Sequence, residues 1–212
     1  MLHVEGPRAA DFVALLRRYS GTAVRLDGNE VHADNPSIPP NPYGVSGVLA
    51  SIVHKVITFA PVIRLDVFRD APRAGLIDTF FGSSDPAGPG LFPHHRPRTV
   101  FVGHLLAIEA HRFEAAAALT GHLLTEYASA AGLNVRTDAQ FGPHHDLGLL
   151  IEASIIREMT GRPISGRPSE RGIPRSGGGI TLRRHYGPGN EYDIVFGPQP
   201  LNRVLSVTRT NL

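Results

Sequence analysis

Apolar positions along the chain recur with two different periods, and together these predict a domain built of both helices and strands. In "RAADFVALLRRY" (8–19), Phe12, Leu15, Leu16 and Tyr19 recur at helical spacing, and Gly21 supplies a stop. "TAVRLDGNEVHAD" (22–34) reads as a β-hairpin, with Asp27-Gly28 as its turn signal. Beyond the proline-stiffened stretch "NPSIPPNPYG" (35–44), residues 45–59 are apolar without a decisive period, so helix and strand both fit. "VIRLDVFR" (62–69) alternates apolar and charged residues as a half-buried strand does. From Asp70 to Pro97 turn-forming residues dominate, most densely in "GSSDPAGPG" (82–90).

"TVFVGHLLAI" (99–108) reads as a buried strand, and Glu109–Ala131 as one long helix capped by Gly132. "NVRTDAQ" (134–140) reads as a further strand leading into a loop, and residues 147–159 are apolar enough for buried strand or helix. Residues 160–179 hold two "SGRP"-like pieces and little that is apolar, the pattern of a flexible Arg-rich loop. "ITLRRHYGPGNEYDIVF" (180–196) reads as a hairpin turning at Gly187–Asn190, followed by a strand near Val204–Thr208. The whole is an α+β pattern over a single domain, residues 1–212. It predicts a mixed or antiparallel sheet, one long helix (about 109–131) packed on it, and a C-terminal β-hairpin. No fixed-period repeat is present, which argues against solenoids and propellers.

Composition narrows the chemistry. The chain has 212 residues, 42% of them hydrophobic and 19% charged, a globular balance. It has no cysteine, which excludes disulfides, thiolate nucleophiles and iron–sulfur clusters and leaves His, Asp, Glu or backbone oxygen for any metal. The N-terminus lacks a basic segment followed by an apolar one, and the longest apolar run (45–63) is broken by His54, Lys55 and Pro61. No membrane partner is expected. Cytoplasmic residence is the default, and a detached domain of an exported toxin would read the same way. Lys55 is the only lysine, and the snorkelling surface reading suits it best. Residues 162–212 carry eight arginines against three acids, whereas residues 1–161 carry 13 basic residues against 16 acidic ones.

Two short pieces repeat a proline followed by paired histidines, "FPHHRP" (92–97) and "FGPHHD" (141–146). His144, His145 and Asp146, joined by His94 or His95, are the candidate ligands of a divalent metal such as Fe, Zn or Ni. Two imidazoles and one carboxylate with open positions suit activation of water or dioxygen. Adjacent residues of an extended segment point to opposite faces, so at most one histidine of each pair reaches a shared centre. Arg96 and Arg98 make the first pair a poor neighbour for a cation, and solvated turns are the competing reading of both. His104 reads as a core residue or a catalytic one. His111 and His122 lie opposite the stripe Phe113, Ala116, Ala117, Thr120, Leu124, Tyr127 and Ala131, which predicts that they face solvent. His122 and Glu126 would then form an i, i+4 surface pair.

The basic end offers a second chemistry. Arg162, Arg167, Arg171 and Arg175 punctuate the 160–179 stretch, and Arg183, Arg184 and His185 follow. On a strand, Arg183 and His185 share one face and Arg184 takes the other, with Glu191 and Asp193 across the hairpin. His185 as acid/base and Arg183 as charge holder would suit phosphoryl transfer, with Arg162, Arg167, Arg171, Arg175 and Arg184 gripping a polyanion. The polar face of an edge hairpin is the plainer alternative.

Three functions follow. The first is an enzyme with a histidine-lined pocket, metal-dependent or using His as acid/base, doing hydrolytic or oxygenase-type chemistry on a small molecule. The second is a basic nuclease or phosphoryl-transfer domain of toxin type, acting on a phosphate-bearing substrate or nucleic acid. The third is a non-catalytic protein that docks an acidic partner through its arginines. Oligomeric state has no sequence signal.

Overall fold

A computed structural model describes residues 1–34, 45–58, 62–69, 99–131, 143–198 and 203–210. The α+β architecture is as the pattern predicts, but with two sheets. The first is mixed and five-stranded, built from β1 (Leu2–Glu5), β2 (Val24–Asp27), β3 (Glu30–Ala33), β4 (Ile63–Phe68) and β5 (Thr99–Phe101) in the order β2-β3-β1-β4-β5. β1 and β5 pair parallel to β4, while β3 pairs antiparallel to both β1 and β2. Alternation explains the inner strands: Ile63, Leu65 and Val67 are buried, as are Leu2 and Val4, while Arg64 and Asp66 face out.

α1 (Ala9–Ser20) buries Phe12, Leu15, Leu16 and Tyr19 against this sheet and ends at Gly21, whose φ of 67° lets its N–H reach Arg17 O at 2.9 Å. The ambiguous segment 45–59 is helical, as α2 (Gly47–Thr58). Glu158 accepts hydrogen bonds from the N–H groups of Gly47 and Val48 and from Ser46 Oγ, holding the α2 N-terminus.

The middle of the chain departs from the expected order. The strand predicted over 99–108 ends at Phe101, and Val102–His111 form helix α3. The expected helix over 109–131 is interrupted at Arg112, whose extended backbone (φ −149°, ψ 100°) closes α3 and opens α4 (Phe113–Ala130). Apolar runs this short carry no reliable period, and the length of the buried element decides its type only after folding. Pro143–Thr160 form helix α5, so the second proline–histidine piece is a first helical turn instead of a loop. Proline suits that place, because its missing N–H costs nothing in a first turn. Gly132 and the predicted strand 134–140 lie outside the described residues.

The C-terminal region is an antiparallel meander of β6 (Ser169–Pro174), β7 (Ile180–His185), β8 (Glu191–Phe196) and β9 (Val204–Thr210). β7 and β8 are the predicted hairpin. β6 lies within the stretch expected as a flexible loop, drawn in by full antiparallel pairing with β7. The hairpin turn depends on Gly187 (φ 133°), where a Cβ would meet Ser165 N and Oγ at 2.8 Å. One hydrophobic cluster joins residues of both sheets and all five helices, from Leu2 and Phe12 to Tyr192 and Val207. Among the described residues, no helix is long and apolar enough to cross a membrane.

Candidate metal centre

α4 is buried on every side from Ala115 to Ser129. Four successive alanines, Ala115–Ala118, and Gly121 let neighbouring elements approach closely around it. A helix apolar all round belongs in a core, so its few polar side chains must find partners there. Beside the buried hydroxyls of Thr120, Thr125 and Ser129, His122 and Glu126 are its buried ionisable side chains. The expectation that they form a solvent-facing pair is therefore corrected: His122 is fully buried and Glu126 is 6% exposed. The stripe read from the sequence is real but is not bounded by water, because α5 packs along the opposite face and places Glu152 against His122. His111 does face solvent.

α5 runs antiparallel to α4, with His144 beside Ser129 and Gly148 beside His122. Gly148 makes this approach possible, since a Cβ there would stand 2.5 to 2.9 Å from the His122 ring. His145 Nδ1 lies 3.3 Å from His122 Nε2 and 4.0 Å from Glu126 Oε1, and His122 Nε2 lies 3.7 Å from Glu126 Oε2. These three residues form a group able to hold a metal ion, with donor atoms within 4.8 Å of one another. Ligands about 2.1 Å from a tetrahedral ion stand about 3.4 Å apart, so only small side-chain movements separate this group from a coordination shell.

The centre is enclosed by charged groups from the core and the C-terminal sheet. Glu152, fully buried, accepts from His122 Nδ1 at 2.7 Å and from the Tyr186 hydroxyl. Arg184 reaches Glu152 at 3.3 Å through Nη1 and Glu170 at 2.5 Å through Nη2, and is itself fully buried. Glu126, Glu152 and Glu170 set against Arg184 leave a formal −2 while the histidines are neutral, a charge that a divalent cation balances.

Proton affinities differ sharply within the group. Burial, and then the adjacent His122, push His145 down to about 3, so the ring is neutral at neutral pH and keeps one nitrogen lone pair free of a proton. Burial also opposes charge on His122, but the Glu126 and Glu152 carboxylates outweigh it and raise His122 above the ordinary histidine value. Burial alone would raise Glu152, yet Arg184 and His122 hold it down to about 2. An ionised Glu152 can only accept, so Nδ1 of His122 carries a proton whether the ring is charged or neutral, and loss of the second proton leaves the Nε2 lone pair facing the centre.

No family model, curated protein or solved structure matches this chain. The residues themselves therefore carry the functional reading. Of the metal ligands expected from the sequence, His145 alone enters the group of three. Its neighbours diverge: His144 Nδ1 lies 2.7 Å from Ser129 Oγ, and Asp146 accepts from Arg167 at 2.7 Å. Glu126 occupies the carboxylate place expected for Asp146. His94 and His95 lie outside the described residues. His104 is buried in α3, with its ring about 6 Å from those of Phe101 and Phe196.

On β7 the alternation holds as expected. Arg183 donates to both oxygens of Asp193 at 2.7 Å and His185 Nδ1 lies 2.7 Å from Glu191, both on the outer face, while Arg184 turns inward. Arg171 pairs in register with Arg183, Arg162 donates to Gly189 O at 2.7 Å, and Arg171 and Arg175 are exposed. His122 and Glu126 were expected only as a surface pair, and nothing in the sequence pattern marked Glu152 or Glu170. For His122 and Glu126 the one signal was the largely apolar composition of α4 around them.

Proposed function

We propose that the protein is a metal-dependent enzyme acting on a small molecule, with one divalent transition ion bound by His122, Glu126 and His145. The observation that carries this reading is the convergence of two imidazoles and a carboxylate, 3.3 to 4.0 Å apart, inside the core. Imidazole nitrogen favours zinc, iron or nickel over magnesium or calcium, which take oxygen. Three protein ligands leave a position for water or substrate. Zinc there would acidify bound water for hydrolysis, and ferrous iron would support dioxygen chemistry. Arg184, in contact with both Glu152 and Glu170, ties the two outer carboxylates together behind the centre.

The test is metal analysis of protein purified without a histidine tag, followed by chelator stripping and titration with Zn²⁺, Fe²⁺ and Ni²⁺. One equivalent of a transition ion is expected, lost in His122→Ala and Glu126→Gln. Uptake that is unchanged in both variants, or absent from the parent protein, refutes the reading.

A second reading is favoured by the His185–Glu191 contact, which leaves His185 Nε2 on an outer face beside Arg183 and Arg171. These residues would hold a phosphate-bearing substrate or a nucleic-acid backbone. Affinity for RNA or DNA should then fall steeply with salt, and a flat response between low and moderate salt sinks it.

A further inference from the structure

We infer that Glu170 and Arg184 are positioning residues of the metal centre, and that the two histidines bind the ion through different ring nitrogens, His122 through Nε2 and His145 through Nδ1. This rests on the metal reading above. Each imidazole has one nitrogen toward the common point and the other toward a carboxylate outside it. For His122 the outer partner is Glu152, at Nδ1. For His145 the assignment is reversed: Nδ1 faces His122 and Glu126, and Nε2 faces Glu170 Oε2 at 4.0 Å. That last distance is longer than a hydrogen bond. An ion drawing on the Nδ1 lone pair fixes the ring proton at Nε2, and Glu170 is the carboxylate placed to accept it.

A carboxylate on the distal nitrogen of a ligating histidine sets its tautomer, its ring orientation and its donor strength. Here both such carboxylates are held by one guanidinium. Glu170 and Arg184 are direct cross-strand partners on β6 and β7, and Arg184 reaches on to Glu152 of α5. The rigid planar fork of arginine fixes the spacing of the two carboxylates, and with it the angle at which the two rings converge. The division of labour follows the fold: helices α4 and α5 supply the ligands, and the inner face of the C-terminal sheet supplies Glu170 and Arg184 behind them.

The test is long-range ¹H–¹⁵N spectroscopy of the histidine rings in the full chain loaded with Zn²⁺. The expected result is a proton on Nδ1 of His122 and on Nε2 of His145. Glu170→Gln should lower Zn²⁺ affinity about 10- to 100-fold, with Glu170→Asp recovering part of the loss, while both variants melt close to the parent protein in chelator. His145 bound through Nε2, or Glu170→Gln binding Zn²⁺ as tightly as the parent, overturns this inference and leaves the metal centre standing. A parent protein that takes up no Zn²⁺, Fe²⁺ or Ni²⁺ overturns both.

Discussion

Arg183 and Arg184 are adjacent residues of one type on one strand, and they should respond to the same substitution in opposite ways. Arg184→Met removes a fully buried guanidinium from between Glu152 and Glu170. Glu152, fully buried, is left in a low-dielectric site with its principal counter-charge gone. Breaking a buried ion pair from one side costs about 3–5 kcal/mol, because the remaining charge is uncompensated. At roughly 2.1 cal/mol/K of unfolding entropy per residue, a chain of this length loses about 2 °C of midpoint per kcal/mol, so a fall of roughly 7–11 °C is expected. Arg183→Met removes an exposed guanidinium whose partner Asp193 can be rehydrated in place, and the midpoint should stay within about 2 °C of the parent. Scanning calorimetry of the three proteins in chelator, at neutral pH, makes the comparison without a metal contribution. Equal shifts would refute the reasoning, since they would mean that the inward face of β7 does not bury its charge. An Arg184→Met protein as stable as the parent would do the same.

Three further outcomes follow from the same geometry. Gly148→Ala places a methyl 2.5 to 2.9 Å from atoms of the His122 ring; it should cost about 1–3 kcal/mol by overpacking and weaken Zn²⁺ binding at least tenfold by calorimetric titration, with every ligand retained. Asp146→Asn should leave Zn²⁺ affinity within about threefold, because Asp146 is engaged by Arg167 and the carboxylate of the proposed centre is Glu126; a loss as large as that of Glu126→Gln would reverse the assignment. In the metal-free protein, the depressed affinity of His145 makes a contribution to stability that is complete above about pH 6.5 and is lost as pH falls toward about 3. His145→Asn should therefore flatten the acid limb of a plot of urea midpoint against pH between those values, and an unchanged slope would contradict it.

The elements whose side chains meet water on one face were legible in the sequence. α1, the β2–β3 hairpin, β4 and the β7–β8 hairpin each have a polar side, so their periods of 3.6 or 2 were visible and their turns were marked by Gly21, Gly28 and Gly187. The cross-strand pairs Arg183–Asp193 and His185–Glu191 followed from alternation alone. Elements buried on both sides were not legible in this way. Apolar residues dominate the run from Thr99 to Ala131 without marking its breaks, and nothing local records that its strand stops at Phe101 or that Arg112 divides two helices.

The site was hidden by the same cause. A histidine opposite an apolar stripe is a surface residue when the stripe is the helix's only covered face. On α4 the opposite face, with Ala115, Ala118, Leu119, Thr125 and Ser129, is buried as well, so His122 and Glu126 are carried into the core with it. The paired histidines drew attention to His145 for their repetition, but what recruits His145 is position: it stands one turn before Gly148 on the face of α5 that meets His122. Asp146, one residue on, is rotated by about 100° along the helix and meets Arg167 instead. Helical geometry thus chooses one member of the "HHD" triplet for the centre. The carboxylate of the proposed centre is instead Glu126, 19 positions before His145 on a helix whose burial obliges its ionisable side chains to find partners inside the protein.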